Sequence, residues 1–220
     1  MIEAAERLVQ HAAQLSVSLD EGQAQLLLDY LALIQKWNKV YNLTAVRGPE
    51  EMLTHHLLDS LAVVAPLRRH LAQAGLSAGS RLMDVGSGAG LPGVVLAICC
   101  PEVSVTCVDT VSKKATFIQQ VAISLKLPNL KGLHARVESL ADSCDVVTSR
   151  AFASLVDFTN WSADALAPDG VWLALKGKLP TDEIAALPPS VNVFHVEQLS
   201  VPGLDADRCL VWMRRSAAAS

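Results

Sequence analysis

The chain has 220 residues, of which 51% are hydrophobic and 18% are charged, a composition that supports a folded core and excludes an intrinsically disordered protein. At roughly 100–200 residues per domain, this length predicts one main domain with an appended piece. The net charge of −4 excludes a protein that is basic all over, as many nucleic-acid-binding proteins are. The charge is uneven, however, because residues 61–140 carry 8 basic and 4 acidic side chains while both flanks are net negative. Chance produces such a distribution as readily as a basic face does.

Five scattered cysteines form no C-x-x-C pair, so we expect free thiols in the core and no metal site. The N-terminal residues 1–6 are acidic, unlike the basic start of a secretory signal peptide. No apolar run reaches the roughly 18 residues that a membrane span needs. These features predict a reduced, soluble protein of the cytoplasm that does not contact membranes.

Residues 1–78 have helical periodicity and predict a helical cap at the N-terminus. Within it, Asp20 and Gln23 have the spacing of a capping box that begins a helix, and Asn42 is a residue type that ends one. The remaining expected features of the cap are a second helix over residues 50–67, stopped near Pro66, and a linker over residues 75–80.

From residue 79 the pattern changes to an alternation of strands and helices. Strands are predicted over residues 81–85, 103–108, 131–135, 145–149, 171–176, 191–199 and 209–214, and helices over residues 92–100, 113–125, 154–166 and 181–187. Such alternation predicts a mostly parallel sheet with helices on both faces, and the last two strands, with no long helix between them, predict an antiparallel pair at one edge. The expected domains are the cap over residues 1–78, a Rossmann-like domain over residues 79–215 and a frayed tail over residues 216–220.

A glycine-rich loop follows the first of these strands and opens the next helix. It reads Asp84-Val85-Gly86-Ser87-Gly88-Ala89-Gly90-Leu91-Pro92-Gly93. Glycines allow the backbone to turn sharply and to approach a ligand with no β-carbon in the way. Asp109 ends the second strand, where a carboxylate of a doubly wound fold accepts hydrogen bonds from ribose hydroxyls. The loop and the acid together predict a cofactor that contains ribose.

The spacing of the loop indicates which cofactor this is. Dinucleotide sites have G-x-G-x-x-G/A, whereas this loop has G-x-G-x-G and places Leu91 at the sixth position. A carboxylate at Asp84 would repel a pyrophosphate but suits a ligand that carries an ammonium and a sulfonium group, which describes S-adenosylmethionine. Each acid also has a structural alternative: Asp84 as a helix cap, and Asp109 as a turn residue at the end of its strand.

Several further segments occur in an order that matches a known family. They are Lys36–Thr44, His56–Ser60, Arg150–Leu155 and Leu175–Gly177. Together with the glycine loop, they resemble the RsmG (GidB) family of bacterial methyltransferases, which modify guanine N7 in small-subunit ribosomal RNA. The resemblance extends from about residue 20 to residue 214. It implies an α/β fold with a Rossmann-like class I methyltransferase sheet and an N-terminal helical extension, and S-adenosylmethionine as cofactor. It also implies 16S ribosomal RNA as partner, either naked or within the small ribosomal subunit.

With the loop analysis, the resemblance implies a cofactor site at Asp84, Gly86, Gly88, Leu91, Asp109, Val137, Glu138 and Arg150. The candidates for RNA contact are Arg136, Arg150, Lys113, Lys114 and Lys176, each with a surface ion pair or a solvated face as its alternative. Phe152 either stacks on the target base or packs in the core. His56 and Asp59 form a pair on a helix face or link the cap to the sheet. Trp37 and Tyr41, four residues apart, are predicted to be core residues.

The chemistry of guanine N7 agrees with the absence of a recognisable catalytic residue. This ring nitrogen attacks a sulfonium methyl with its own lone pair, so no general base is obligatory. The end of the fourth strand, residues 147–152, lacks the Asn/Asp-Pro-Pro-aromatic motif found in methyltransferases that act on exocyclic amines. No cysteine follows a proline, as the nucleophile of cytosine-C5 enzymes usually does. We therefore identify no catalytic residue.

Three other functions stay open on the sequence alone. A small-molecule methyltransferase would have the same cofactor loop, and the negative net charge favours it. Asp84 and Leu91 argue against an NAD-linked oxidoreductase. The last alternative is a non-catalytic RNA-binding or assembly protein. No obligate protein partner is predicted, and we expect a monomer.

Overall fold

The computed structural model describes residues 2–76 and 78–216, and its first part is a helical cap. The cap consists of α1 (Ile2–Gln14), α2 (Glu21–Tyr41), α3 (Pro49–Met52), a π-helical segment (Leu53–Leu58), α4 (Asp59–Leu61) and α5 (Val64–Gln73). The predicted capping box is confirmed, because the Asp20 carboxylate accepts a hydrogen bond from the backbone N–H of Gln23 at 2.8 Å and the Gln23 side chain accepts one from the backbone of Asp20. Asn42 ends α2 in the left-handed conformation, as predicted.

The prediction of one helix over residues 50–67 is wrong. The segment is divided into α3, the π-helical turn, α4 and the start of α5. Pro66 does not stop a helix; it lies in the first turn of α5, where its missing N–H costs no intrahelical hydrogen bond. Of the predicted linker and tail, residues 77 and 217–220 lie outside the part of the chain that the structure describes.

After the cap, the chain forms a seven-stranded sheet in the order β3-β2-β1-β4-β5-β7-β6. The strands are β1 (Arg81–Val85), β2 (Ser104–Asp109), β3 (Leu130–His134), β4 (Cys144–Arg150), β5 (Leu166–Lys176), β6 (Val191–Leu199) and β7 (Arg208–Arg215). β1 to β5 pair in parallel, and β7 is antiparallel to both β5 and β6, which confirms the predicted parallel sheet with an antiparallel edge pair. The chain order reverses between β1 and β4, so a crevice opens at their carboxyl ends.

The connecting helices are α6 (Gly93–Cys99), α7 (Ser112–Ser124), α8 (Leu155–Trp161) and α9 (Thr181–Ala185), with a 3-10 turn at Val137–Ser139. α8 ends earlier than predicted. Its end is fixed by Ser162, whose hydroxyl donates to the carbonyl of Phe158 at 2.6 Å and accepts from the indole N–H of Trp172 at 3.0 Å. β5 then begins at Leu166 rather than at residue 171, and a β-bulge lies in the pairing opposite Cys144.

The two faces of the sheet are covered by separate apolar clusters. The cap, α6 and α7 cover one face with a cluster that runs continuously from Leu8 to the sheet residue Trp212. α8 covers the other face through Leu155 and Phe158. All five cysteines are free and buried, as expected for core thiols. None of the helices in the described residues has the length and apolar character to cross a membrane.

Helix α2 attaches the cap along the whole depth of the sheet. At its start, the side chain of Gln23 donates to the carbonyls of Ile98 and Cys99, at the end of α6. Near its middle, the hydroxyl of Tyr30 donates to the carbonyl of Ala89 in the glycine loop at 2.7 Å. Because α6 runs from the carboxyl edge of the sheet to its amino edge, α2 runs the opposite way, parallel to the strands.

We expect Gly132→Ala to lower the free energy of unfolding by about 1–3 kcal/mol through overpacking. A β-carbon on Gly132 in β3 would lie 2.6 Å from the backbone carbonyl oxygen of Ala115 and 3.0 Å from the backbone nitrogen of Gln119, both in α7. Gly177→Ala is the matched control, because its β-carbon would meet nothing nearer than the Asp207 carbonyl at 3.9 Å. Urea unfolding of both variants measures the difference; equal stability would show that α7 moves freely relative to β3.

Candidate functional site

Two clefts meet over the glycine loop at the carboxyl edge of the sheet. The first cleft, about 490 Å³, lies between the cap and the ends of β4, β5 and β7. The second cleft, about 470 Å³, lies over the ends of β2 and β3. Gly86 and Ala151 line both clefts, so the two form one elongated site.

Gly86 lies at the junction of the clefts, and no other residue type fits there. Its φ angle is +66°, and a β-carbon would overlap the ring of Phe152. The backbone N–H of Gly86 donates to the carbonyl of Val108 at 2.9 Å, which fixes the turn after β1 against the end of β2. The sharp turn that the sequence predicts at this position is therefore present.

Asp109 joins the glycine loop to the turn after β2. One carboxylate oxygen accepts a hydrogen bond from the N–H of Gly88 at 3.0 Å, and the other accepts one from the N–H of Val111 at 2.8 Å. The ammonium group of Lys114 lies 3.7 Å away. The carboxylate lines the second cleft, and each oxygen keeps a lone pair for a ligand hydroxyl.

Asp84 lies beneath the loop and lines neither cleft. It is completely buried, and one of its oxygens accepts a hydrogen bond from the N–H of Gly93 at 2.8 Å, at the start of α6. Burial raises the pKa of Asp84 to about 7. This geometry is that of the helix-capping alternative, and the raised pKa weakens the electrostatic argument that assumed a full negative charge at this position.

A network around Asp59 joins the cap to the sheet beside the first cleft. One oxygen of this buried carboxylate accepts a hydrogen bond from Nη1 of Arg150 in β4 at 2.9 Å, and the other accepts one from Nε of Arg208 in β7 at 2.7 Å. Arg150 also donates to the carbonyl of His55 at 2.8 Å. Asp59 therefore links the cap to the sheet, as one of its two alternatives proposed.

His56 holds the loop that covers the first cleft. Its Nε2 lies 3.0 Å from the hydroxyl of Thr44, whose backbone N–H donates to the side chain of Asn38 in α2. Burial, assisted by the positive charge of Arg150, lowers the pKa of His56 to about 4. His56 is therefore neutral at physiological pH.

The structure distributes the predicted site residues over the two clefts. Gly86, Gly88, Leu91, Arg150 and Lys176 line the first cleft, and Gly86, Asp109, Lys114, Arg136, Val137 and Glu138 line the second. Lys113 is exposed at the start of α7 and lines neither. Phe152 lines the second cleft and packs edge-on against Trp161, with ring centroids 5.8 Å apart. Lys176 donates to the carboxylate of Glu183 at 2.8 Å.

The sequence analysis missed Arg208 and misplaced Tyr41. Arg208 lies 149 positions from Asp59 in the chain, and no local pattern marks it as a site residue. The prediction that Tyr41 is a core residue is wrong: the residue is 42% exposed, because α2 extends past the core at this point. Trp37 is half-buried and packs against Phe117 of α7.

We expect the unfolding free energy of the wild type to fall, relative to that of His56→Gln, as the pH is lowered from 7 to 4. The native state keeps His56 neutral down to a pKa of about 4, whereas the unfolded chain takes up a proton near its ordinary value of 6.5. Protonation of the unfolded state therefore removes stability in this window, by about 1–3 kcal/mol.

Chemical denaturation of both proteins at several pH values measures this difference. Asp84 makes an opposing contribution, because its raised pKa lowers the free energy of unfolding as the pH rises through the same range. Both proteins contain Asp84, so subtracting one free energy of unfolding from the other removes this contribution. A constant difference between pH 4 and 7 would contradict the burial of a neutral imidazole at this position.

Comparisons with known proteins match one family over most of the chain. A family model described as rRNA small subunit methyltransferase G matches residues 23–211. A Ribosomal RNA small subunit methyltransferase G from Polaromonas sp. (strain JS666 / ATCC BAA-500) is 68% identical over 206 residues, which cover 94% of this chain and 91% of the relative. Its counterpart from Acidovorax sp. (strain JS42) is 69% identical over 207 residues, covering 92% of each.

Solved structures are similar in fold at low sequence identity. TrmN from Thermus thermophilus has a TM-score of 0.56 at 18% identity, covering 74% of this chain and 53% of its own. A SAM-dependent methyltransferase from Aquifex aeolicus has a TM-score of 0.55 at 15% identity, covering 83% of this chain and 97% of its own. These similarities confirm the class I methyltransferase fold. With the family model matching most of the chain, the protein belongs to the rRNA small subunit methyltransferase G (GidB) family.

Proposed function

We propose that this S-adenosylmethionine-dependent methyltransferase transfers a methyl group to N7 of a specific guanine in 16S ribosomal RNA. The proposal is carried by one observation: the two clefts join over the glycine loop, with an acid at one end and a cationic pocket at the other. The names of the relatives support ribosomal RNA of the small subunit as the substrate.

The residues of the two clefts fit S-adenosylmethionine. The second cleft offers the carboxylate of Asp109 for ribose hydroxyls, with Val137 and Glu138 beside the place for the adenine. Across Gly86, the first cleft offers Gly88, Leu91 and Arg150 for the amino-acid part. When bound, this cofactor supplies an electrophilic methyl group on its sulfonium. Asp84 acts from below, by holding the start of α6 against the loop.

The state of the polar groups around the first cleft suits attack by guanine N7. Among the described residues that line it, the carboxylate of Asp59 is held by two arginines and the imidazole of His56 is hydrogen-bonded to Thr44. The lowered pKa of His56 makes its imidazole a weak proton acceptor, and both oxygens of Asp59 already accept hydrogen bonds. Guanine N7 loses none on methylation, so orienting the base in line with the methyl group is sufficient.

The charges of the first cleft suit a nucleic acid. Arg150, Arg208 and Lys176 contribute three positive charges to its lining, against one negative charge from Asp59, and Lys176 is also paired with Glu183 just outside the lining. In the second cleft, Arg136 and Lys114 lie with the acids Asp109 and Glu138, and Lys113 is exposed at the start of α7. We propose that these basic groups contact RNA phosphates or the guanine edge, so that methylation weakens as the salt concentration rises.

The experiment that tests this function uses purified protein, radiolabelled S-adenosylmethionine and either naked 16S ribosomal RNA or small subunits that lack the modification. We expect label in the RNA and one strong site of chemical cleavage at 7-methylguanosine. Gly86→Val, which places a side chain into the ring of Phe152, serves as the inactive control. Tight binding of the cofactor without label in either substrate would instead favour a small-molecule methyltransferase.

We expect Tyr30→Phe to weaken cofactor binding about tenfold and to lower the free energy of unfolding by about 1–3 kcal/mol. The variant leaves the buried carbonyl of Ala89 in the glycine loop without its hydrogen-bond donor. Tyr41→Phe, which alters the other tyrosine of the chain, is the matched control, because Tyr41 is exposed. Calorimetric titration with S-adenosylmethionine measures both; an unchanged affinity would exclude a role for α2 in shaping the loop.

A further inference from the structure

The turn between β4 and α8, residues 151–154, is a wall shared by the two clefts. Ala151 lines both clefts, and Phe152 lines the second. The ring of Phe152 also lies so close to Gly86 that a β-carbon there would overlap it. The position of this turn therefore sets the width of the junction between the clefts, over the glycine loop.

Ala151 has a backbone conformation that residues with a β-carbon rarely adopt. Its φ angle is +50°, in the left-handed region. Such a residue keeps this conformation only where the surrounding structure holds the chain on both sides of it. On the side of β4, the chain is held by Arg150, which donates to the carboxylate of Asp59 and to the carbonyl of His55.

On the side of α8, the chain is held by Glu183 of α9. Its Oε2 accepts a hydrogen bond from the backbone N–H of Leu155 at 2.7 Å and another from Nζ of Lys176 in β5 at 2.8 Å. The same ammonium group donates to the carbonyl of Ala153 at 2.9 Å. Glu183 and Lys176 thus bind the backbone at two points, one in the turn and one just after it.

Burial and charge make these contacts stronger than those of an ordinary surface pair. The side chain of Lys176 is 17% exposed and that of Glu183 is 35% exposed, so solvent screens their attraction only in part. Leu155 is the first residue of α8, where the N–H has no acceptor within the helix. Glu183 supplies that acceptor with a charged oxygen, which forms a stronger hydrogen bond than a neutral one.

We propose that Glu183 is a positioning residue for the cofactor site, because it holds the turn at residues 151–154 against the glycine loop. Glu183 itself lines neither cleft and acts through Leu155 and Lys176. The ammonium group of Lys176 uses two of its three N–H groups in this arrangement and keeps one for a ligand. The inference rests on the proposed function, because it places S-adenosylmethionine in the two joined clefts.

The first test measures the affinity for S-adenosylmethionine by calorimetric titration. Glu183→Ala should raise the dissociation constant about tenfold, because the N–H of Leu155 loses its acceptor and the turn shifts. Glu183→Gln should bind within about threefold of the wild type, since a neutral amide oxygen in the same place accepts both hydrogen bonds. Asp182→Ala is the matched control: it removes the same charge from an exposed neighbour in α9 and should leave the affinity unchanged.

A merely structural role for Glu183 predicts a different result. The titrations are made at a temperature at which urea unfolding shows the wild type to be fully folded. A variant that is only less stable contains less active protein, so its stoichiometry falls while its dissociation constant stays the same. That result in Glu183→Ala would overturn the proposal. A loss of affinity as large in Glu183→Gln as in Glu183→Ala would also overturn it, because the glutamine keeps the acceptor.

Methylation of small subunits by the same variants provides a second readout. Glu183→Ala should raise the KM for S-adenosylmethionine about tenfold and leave the KM for the subunits unchanged. The second KM stays the same because Arg150 keeps its own contacts with the cap. An unchanged KM for the cofactor with a reduced kcat would contradict the positioning role.

Titration of Gly86→Val separates this inference from the proposed function. If Gly86→Val loses the cofactor while Glu183→Ala binds it like the wild type, the site over the glycine loop stands and the role of Glu183 is overturned. If Glu183→Ala weakens cofactor binding but the wild type labels no RNA, the proposed substrate is overturned and the role of Glu183 stands. If Gly86→Val binds normally, the cofactor does not lie over the loop, and both proposals fail.

Discussion

The carboxylate of Asp59 is buried between guanidinium groups from two different strands, and the arrangement of cap and sheet depends on it. Arg150 comes from β4 in the parallel part of the sheet and Arg208 from β7 in its antiparallel part. Removing one partner of a buried ion pair leaves a charge without compensation, which is far more costly than any exposed salt bridge. The π-helical segment just before Asp59 must therefore lie against the ends of both strands. That placement closes one side of the first cleft and brings His56 and its loop over it.

Burial shifts the pKa values of two ionisable groups near the clefts, Asp84 and His56. It raises the pKa of Asp84 and lowers that of His56, so both move toward their uncharged forms near neutral pH. Asp59, by contrast, is paired with two arginines. The lining of the first cleft contains two arginines and one lysine against the single acid Asp59, in a protein whose net charge is −4. Net charge alone does not describe the balance of charge on this surface.

Local patterns were sufficient to predict much of the fold and part of the site. The capping box at Asp20, the glycine loop and the acid at the end of β2 each follow from neighbouring residues, because each depends on short-range backbone geometry. The division of residues 50–67 into several helical segments was not predictable, because helical periodicity does not show where one helical form changes to another. Arg208 was missed because it lies 149 positions from Asp59 in the chain.

Tyr41 shows a different limit of prediction from sequence. Helical periodicity places Trp37 and Tyr41 on one face of α2, and that much is correct, since the two rings are in contact. Periodicity does not show at which residue of a helix the neighbouring elements stop packing against it. Phe117 of α7 covers Trp37, whereas Tyr41 lies one turn further and reaches solvent. The length of a helix relative to the layer beneath it is a property of the assembled fold.

The position of β7 has a consequence for the order in which the chain can fold. β7 follows β6 in sequence but lies between β5 and β6 in the sheet, so β6 has no place to pair until β7 has been made. Arg208 begins this same strand. During synthesis on the ribosome, the parallel half of the sheet can form while Asp59 still lacks its second arginine and the first cleft still lacks one wall. The first cleft is therefore complete only after β7 has been synthesised. A nascent chain that lacks β7 also lacks the part of this cleft that Arg208 lines.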